Sequence, residues 1–250
     1  KAGRFFSAIG YLNSQHSHVW DFVDAPLAYQ AMLGTQFGDD GLQVAWVAPT
    51  DMFLELRGEV GRGRSYPGTD SSRNGAGATA LAFHAGDDIG DSSSWRAGLS
   101  VLNAKASDQL IVSLDPTLAG RQDAFSGRTR VWIADAVWKW APNGNSNVTN
   151  FKLQGEYLNR SESGNLAYNI DAVNNVAPYS ADQSGWYVQG IYQFRPYWRA
   201  GLRYDQLNAG TVDYGSNNAN LIANGYDPKR ISMMLDYSPS EFSRIRLQLA

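Results

Sequence analysis

Apolar and polar side chains alternate along residues 51–63, DMFLELRGEVGRG. Every second residue in the middle of this stretch is apolar or glycine, and the opposite row carries the charges of Glu55, Arg57 and Glu59. Successive side chains of a β-strand point to opposite faces. The pattern therefore predicts a strand with one apolar face and one wet face.

The same alternation recurs along the chain and predicts about eleven strands of roughly 8–12 residues, longer than is usual in globular sheets. Besides the first stretch, the clear segments are 41–48, 150–157, 185–194, 197–207, 230–237 and 243–249, and the fainter ones are 2–9, 78–86, 94–104 and 128–140.

The connections between these strands alternate in length. The short ones are 48–51, 86–93, 141–147, 195–196 and 238–241, and the long polar ones are 11–40, 62–77, 105–127, 161–183 and 208–227. Short turns on one side and long loops on the other are typical of a bacterial outer-membrane barrel. We predict an all-β, antiparallel up-and-down transmembrane β-barrel. A soluble sandwich, the alternative, explains the alternation but not the sorting of loops by length.

Aromatic residues on the apolar rows fall near the strand ends, where transmembrane barrels carry interfacial girdles. They are Trp46, Trp132, Trp140, Trp186, Trp198 and Tyr237. The alternative is that these rings pack the core of a sandwich. We expect lipid to contact Leu54, Leu56, Leu153, Val188, Leu202, Ile231, Leu235 and Leu247. We expect an aqueous lumen to contain Glu55, Arg57, Glu59, Lys152, Glu156, Arg203 and Arg246.

Composition supports this class of protein. The 250 residues carry a net charge of -3, from 21 Lys and Arg and 24 Asp and Glu, which implies no general attraction to nucleic acid. The absence of cysteine excludes disulfides and thiolate chemistry. Eight Trp and 13 Tyr accompany a mean hydropathy of -0.37, unusual for a soluble domain. No stretch approaches the ~20 apolar residues of a transmembrane helix.

We expect residues 1–250 to form a single barrel domain that is truncated at both ends. The last predicted strand stops at Ala250 without a returning partner, and an open edge in lipid would leave backbone groups unpaired. The whole barrel is expected to contain ~14–18 strands.

Two segments resemble known outer-membrane proteins. KAGRFFSAIGYLNSQHSHVWDFVDAPLAYQ is similar to a strand and loop of porin-like proteins, the group that contains the phosphate-selective porins. Residues 3–27 and 237–248 resemble still more closely proteins labelled zinc-regulated or TonB-dependent outer-membrane receptors. The resemblance implies an outer-membrane barrel and says little about its cargo, since no TonB box or plug domain is visible in the sequence.

The long loop at 11–40 is predicted to carry a short helix over 25–33. Asp24 is a good N-cap, Pro26 suits the first turn, and Gly34 suits the stop. Such a loop can fold inward and constrict a barrel. Its carboxylates at Asp21, Asp24 and Asp39 would then line the narrowest part.

The same loop contains the residues with most chemical character. His16, His18, Asp21 and Asp24 offer nitrogen and oxygen donors within nine positions, which suits a divalent metal such as zinc. The alternative is that the histidines make loop hydrogen bonds and the aspartates cap turns. Apart from this zinc hypothesis, no cofactor is predicted.

Five arginines fall on the predicted lumen rows of three successive strands, roughly 5 Å apart across the sheet. They are Arg199, Arg203, Arg230, Arg244 and Arg246, with Asp205 and Asp236 among them. One interpretation is a cationic wall that faces the acidic loop and favours anions. The other is an ion-pair network without any transport preference.

The sequence therefore predicts a porin-like diffusion channel of the bacterial outer membrane for small solutes or ions, leaning toward anions. The alternatives are a gated uptake receptor for a metal or metal complex and a non-conducting structural barrel. Expected partners are membrane lipid and lipopolysaccharide, not nucleic acid, and a homo-oligomer stays open. No enzyme is predicted, because no nucleophile elbow or P-loop is present. His84 with Asp87 and Asp88 could be part of a hydrolytic site, but a single histidine at a strand end is expected to lie at the surface.

Overall fold

The fold is known from a computed structural model that describes residues 1–69, 75–112, 121–223, 225–240 and 242–250. These residues form one antiparallel sheet of twelve strands. The strands are β1 (Ala2–Phe6), β2 (Gly38–Val47), β3 (Phe53–Gly61), β4 (Ala78–Ile89), β5 (Ser93–Val112), β6 (Gln122–Trp140), β7 (Asn150–Tyr168), β8 (Asn175–Arg195), β9 (Trp198–Leu207), β10 (Thr211–Asp213), β11 (Lys229–Ser240) and β12 (Ser243–Leu249). Helix α1 spans Leu27–Leu33, and short 3-10 helices lie at Ser17–Val19, Pro142–Gly144 and Gly215–Ala219.

Each strand pairs with its neighbour in the sequence, from β1 through β9 and on to β11 and β12. The short strand β10 pairs with β8 instead, and β1 and β12 lie at the two edges of the sheet. All eleven predicted strands are present, in the predicted up-and-down order. The alternation did not predict β10, which has only three residues.

The predicted loops at 105–127 and 161–183 were wrong, because strands run through most of both. Strand β7 continues to Tyr168 and β8 begins at Asn175, so that each is about twenty residues long. These extensions place polar pairs on the outer row where apolar residues were expected, such as Ser161 with Asp182 and Ser163 with Ser180. A backbone ladder needs no apolar row, and a search for alternation misses such strands. Residues 70–74, 113–120, 224 and 241 of the predicted connections lie outside the described residues.

The sheet wraps around residues 7–37, which we call the in-folded segment. Its contacts run from Glu59 of β3 to Arg246 of β12. Apolar residues of the segment pack on small and aliphatic residues from β4 to β8. This buried cluster is Ile9, Leu12, Trp20, Ala25, Ala28, Tyr29, Met32, Leu33 and Phe37 against Ala78, Ala80, Leu102, Val131, Ile133, Leu158 and Tyr187. We call the sheet face toward the segment the inner face.

The outer face carries the apolar rows that the alternation predicted. Its large exposed side chains include Leu42, Val44, Trp46, Leu56, Leu81, Phe83, Leu99, Trp132, Leu153, Val188, Leu202, Ile231, Leu235 and Leu247. Leu202 is 55% exposed, whereas Arg203 beside it is 1% exposed. Glu55, Glu59 and Glu156 are buried on the inner face. The predicted assignment of the charged and apolar rows is confirmed, although β5 to β7 also place aliphatic side chains such as Leu102, Val131 and Leu158 on the inner face.

The predicted helix is confirmed, but its N-cap was wrong. Helix α1 spans Leu27–Leu33, and its C-cap is Gly34, whose left-handed backbone (φ 60°, ψ 37°) suits glycine. Asp24 does not cap it. The backbone N–H of Leu27 donates instead to Asp205 of β9, at 3.1 Å, because Asp24 is turned toward two arginines. No helix in the described ranges combines the length and apolarity needed to cross a membrane.

Candidate functional site

Buried carboxylates of the strands hold the in-folded segment by its backbone. Glu59 of β3 accepts the N–H of Ala8 at 2.8 Å. Glu156 of β7 accepts the N–H groups of Tyr11 and Leu12 at 3.0 and 2.9 Å, and the hydroxyl of Tyr29 at 2.7 Å. Both carboxylates lie on the polar rows of strands in which polar and apolar residues alternate, so the sequence predicted that these side chains face inward. It gave no signal for the backbone groups that they bind.

The five predicted arginines do lie together, on the inner face of β9, β11 and β12. Four aspartates lie among them, two from the sheet and two from the in-folded segment. The fully buried Asp205 accepts the Nε groups of Arg203 and Arg230 at 2.9 and 3.2 Å. Asp24 accepts Nη2 of Arg203 at 3.0 Å and Nη1 of Arg230 at 2.6 Å.

The second half of this cluster is centred on Asp236, which is also fully buried. Its Oδ2 accepts Arg199 and lies 3.2 Å from Nη2 of Arg246 and 3.6 Å from Nε of Arg244. Asp21 of the segment accepts Lys152, and its other oxygen lies 3.3 Å from Nη1 of Arg199. We call these five arginines, Lys152 and four aspartates the charged network. Six cations and four carboxylates leave it with a surplus of positive charge.

The arginines also bind the backbone of the in-folded segment. Nη1 of Arg246 donates to the carbonyl of Trp20 at 2.9 Å, and Nη1 of Arg203 donates to that of Asp24 at 2.9 Å. Arg230 donates in the same way to Ala25 at 3.0 Å, and the guanidinium of Arg203 lies 4.5 Å above the ring of Phe22. The network therefore fixes the segment across the inner face, and the ion-pair interpretation describes its contacts.

Asp24 titrates under the influence of this network. Burial alone would raise the pKa of its carboxyl group. A hydrogen bond from Gln248 and the positive charges of Arg203 and Arg230 outweigh burial and hold the pKa below its ordinary value. Asp24 is therefore ionised at neutral pH and serves as a partner of both guanidinium groups.

Away from the charged network, Glu55 and Arg57 of strand β3 form an ion pair with each other. Glu55 accepts Nη2 of Arg57 at 2.9 Å and lies 3.2 Å from Nδ1 of His84, which is buried. Sequence reasoning placed His84 at the surface, and this was wrong because the ring lies on the inward row of β4. Asp87 and Asp88 are exposed and do not contact it among the described residues.

A cavity of about 640 Å³ lies between the in-folded segment and the strand ends near the short turns. Charged side chains line it, among them Asp21, Asp88, Lys139, Lys152 and Arg199. Lys139 is exposed and has no hydrogen bond or ion pair to a described residue. The cavity extends from the charged network to the turn side of the sheet. The sequence did not predict it, because the in-folded segment that covers it is distant along the chain from the strands that line it.

The predicted metal ligands are divided between two environments. His16 and His18 are exposed, and their stacked rings have centroids 5.5 Å apart. Asp21 and Asp24 are bound by the cations of the network. Asp39, which was predicted as a carboxylate of the constriction and not as a metal ligand, accepts the N–H of Gly63 at 2.6 Å. Within the described ranges, no group of three or more His, Asp or Glu residues is arranged to hold a metal. The zinc hypothesis stays a prediction.

Comparison with known proteins gives one informative match in sequence. The chain is 30% identical over 270 aligned residues to a protein of Aquifex aeolicus (strain VF5) that is described as an uncharacterized protein. The alignment covers all of this chain and 52% of that relative. The chain thus spans about half the length of the curated relative it matches. No family model matches the sequence. No solved structure matches it.

Proposed function

We propose that this chain forms part of a β-barrel in the bacterial outer membrane that conducts small solutes or ions past the in-folded segment. The observation that carries the proposal is the band of apolar side chains on the outer face, bounded by two rows of aromatic rings. This is the surface that a transmembrane barrel presents to lipid. The resemblance of residues 3–27 and 237–248 to outer-membrane proteins supports the same membrane.

Strand β6 illustrates the height of the band. Trp132 and Trp140 both point outward, with only alanine and a further tryptophan on the positions between them. Eight residues of strand span ~27 Å, and the usual tilt of 35–45° reduces this to a height of ~20 Å. The apolar band of known barrels is ~25 Å tall. Rings pack laterally within the rows, as in the stacked pair of Trp198 and Tyr237 at 4.6 Å.

The inner face supports conduction of charged solutes. Its charged network lies at the wall of a 640 Å³ cavity that is also lined by Lys139, a side chain without a partner among the described residues. Fixed charges in a narrow pore act on a passing ion more strongly than in bulk water. The surplus of cations in the network supports a preference for anions.

The test is electrical recording from the full-length protein in planar bilayers, with vesicle flotation as an independent check of insertion. We expect discrete conductance steps, and a reversal potential in a KCl gradient that indicates preference for chloride. Empty bilayers with matched detergent serve as the control. Protein that floats with vesicles but never conducts would contradict the channel.

A second function, a non-conducting structural barrel, is favoured by one observation. The in-folded segment is packed through a buried apolar cluster, and it is bound by carboxylates on β3, β7 and β9 and by arginines on β9, β11 and β12. A segment bound so widely can fill a lumen permanently. The same recording distinguishes the two functions, because this barrel inserts without conducting.

A further inference from the structure

Three cations form a patch on the outer face of β5 and β6, on the loop side of the apolar band. They are Lys105, Arg128 and Arg130. Going from Trp132 toward the loop side, Arg130 is the next residue on the outward row and Arg128 is the one after it. At ~3.4 Å per residue, they lie ~7 and ~14 Å beyond the aromatic row along the strand. This is the layer in which lipid headgroups meet a transmembrane barrel.

The patch is not neutralised by the protein. Lys105 pairs in register with Arg128, which sets two like charges roughly 5 Å apart and is unfavourable without a counter-charge. Neither side chain has a hydrogen bond or an ion pair to any described residue. Arg130 donates its Nε to Asn103 at 2.9 Å, and its terminal nitrogens keep no partner in the described ranges.

The carboxylates near the patch have other partners. Asp108, three residues from Lys105, accepts the hydroxyl group of Ser126 at 3.0 Å. Asp182 lies on the outer face two strands away and is occupied by Ser161 and Asn159 at 2.7 and 3.0 Å. Glu162 points to the inner face, where Thr129 and Tyr179 donate to it. The three cations border a groove of about 700 Å³, whose lining also includes Asn159, Ser161, Glu162 and Ser163 together with Ala76, Ala78 and Trp132.

We propose that this patch binds the phosphate group of a phosphorylated lipid headgroup in the surrounding leaflet. A tetrahedral phosphate offers several acceptor oxygens, which the planar guanidinium group binds well. Trp132 would contact the acyl boundary while Arg128, Arg130 and Lys105 contact the headgroup. This inference rests on the proposed membrane location and adds a lipid class to it. It does not require that the barrel conducts.

The test compares two double variants of the full-length protein. Lys105→Gln with Arg128→Gln removes two charges from the patch, and Lys139→Gln with Arg195→Gln removes two charges near the short turns. Each protein, in a neutral detergent, is titrated with lipid A, a diphosphorylated glucosamine lipid, and bound lipid is counted by native mass spectrometry. Chemically dephosphorylated lipid A and inorganic phosphate are the comparison ligands.

We expect the patch variant to bind lipid A on the order of 20-fold more weakly, since each cation near an anionic surface contributes about fivefold. The turn-side variant should bind it like the unmodified protein. Equal binding by both variants would overturn the proposal, as would equal affinity for dephosphorylated lipid A. Binding of inorganic phosphate as tightly as lipid A would also overturn it, in favour of a soluble-anion site.

Two further measurements separate failure of the patch from failure of the proposed function. Circular dichroism and heat-modified mobility on gels should be the same for both variants, because the substituted side chains lack protein partners. Flotation with phosphatidylcholine vesicles reports insertion without any phosphorylated glycolipid. Intact flotation with unchanged lipid A binding rejects the patch alone, whereas loss of flotation by the unmodified protein rejects the membrane location.

Discussion

The carboxylate of Asp205 accepts the backbone N–H of Leu27 at 3.1 Å, across 178 positions of the sequence. A residue of strand β9 thus caps helix α1, while its other oxygen binds Arg203 and Arg230. Helix position and charge neutralisation depend on one buried side chain. Substitutions of Asp205 can separate the cap of helix α1 from the neutralisation of Arg203 and Arg230.

Asp205→Asn should keep an acceptor for Leu27 but leave two guanidinium groups short of charge. Removing one partner of a buried ion pair costs about 3–5 kcal/mol, so we expect a loss of that order in the free energy of unfolding. Asp205→Ala should cost about 1 kcal/mol more, through the lost cap. Urea titration in lipid vesicles measures both. Asp51→Asn, at an exposed turn, is the control, and a similar effect there would show that Asp205 is not special.

The proposed contact between the apolar band and lipid is tested by Leu202→Arg. Leu202 is 55% exposed near the middle of the band on β9, and arginine at the midplane of a barrel costs about 2–4 kcal/mol. Ile222→Arg, at a 93% exposed position outside the strands, should be nearly neutral. Unfolding in vesicles gives the comparison. If both substitutions are neutral, the outer face meets water and the membrane location is wrong.

Lys139→Glu tests ion selectivity. Lys139 lines the cavity without a partner among the described residues, so its replacement leaves no described buried carboxylate unpaired, unlike replacement of Arg203. One unit charge at 4 Å in water is worth about 1 kcal/mol, and Lys139→Glu changes the charge by two units, which corresponds to about 2 kcal/mol or roughly 30-fold in relative permeation. We expect the ratio of anion to cation permeability to fall by about that factor at low salt.

This effect should shrink at 1 M salt, where the Debye length is ~3 Å. Reversal potentials in KCl gradients provide the measurement, and Arg195→Glu outside the cavity is the matched control. An unchanged reversal potential for Lys139→Glu at low salt would remove the cavity from the conduction path.

Asp24 predicts a dependence of stability on pH. Its folded pKa lies below the ordinary value because Gln248, Arg203 and Arg230 outweigh burial. The ionised carboxylate therefore stabilises the folded state above the unfolded pKa, and this contribution is lost as pH falls through the lowered folded pKa. Urea midpoints between neutral pH and pH 3 should fall more steeply for the unmodified protein than for Asp24→Asn. Parallel curves would show that Asp24 is not coupled to folding.

Zinc provides a test of the loop histidines. Asp21 and Asp24 are engaged by cations, which leaves only His16 and His18 as free donors in that part of the segment. Two exposed imidazoles fall short of the three or four protein ligands of zinc sites. Calorimetric titration should give no heat that depends on them. Heat that disappears in His16→Ala with His18→Ala would instead support the metal hypothesis.

The sequence predicted the strands and their faces because a half-apolar strand repeats every two residues, and it predicted helix α1 from Pro26 and Gly34. It could not predict that the Asp24 side chain pairs with Arg203 and Arg230 and does not cap the helix. An N-cap is predicted from adjacent positions, whereas these two arginines are about 180–205 residues away. It also missed the loop-side half of β7, because polar residues such as Ser161 and Ser163 stand there on the row where apolar residues mark the other strands. Partners across the fold depend on docking, which alternation does not encode.

The connectivity of the in-folded segment also sets an order of assembly. Neighbouring strands can zip together as successive hairpins with short loop closures. Tyr11, however, reaches Glu156 across 145 positions, and Trp20 reaches Arg246 across 226. The in-folded segment is synthesised early, and it can dock fully only after β7, β9 and β12 have formed. The docking of the segment thus reports that the sheet has formed as far as β12, and a chain stalled before β12 would keep the segment loose.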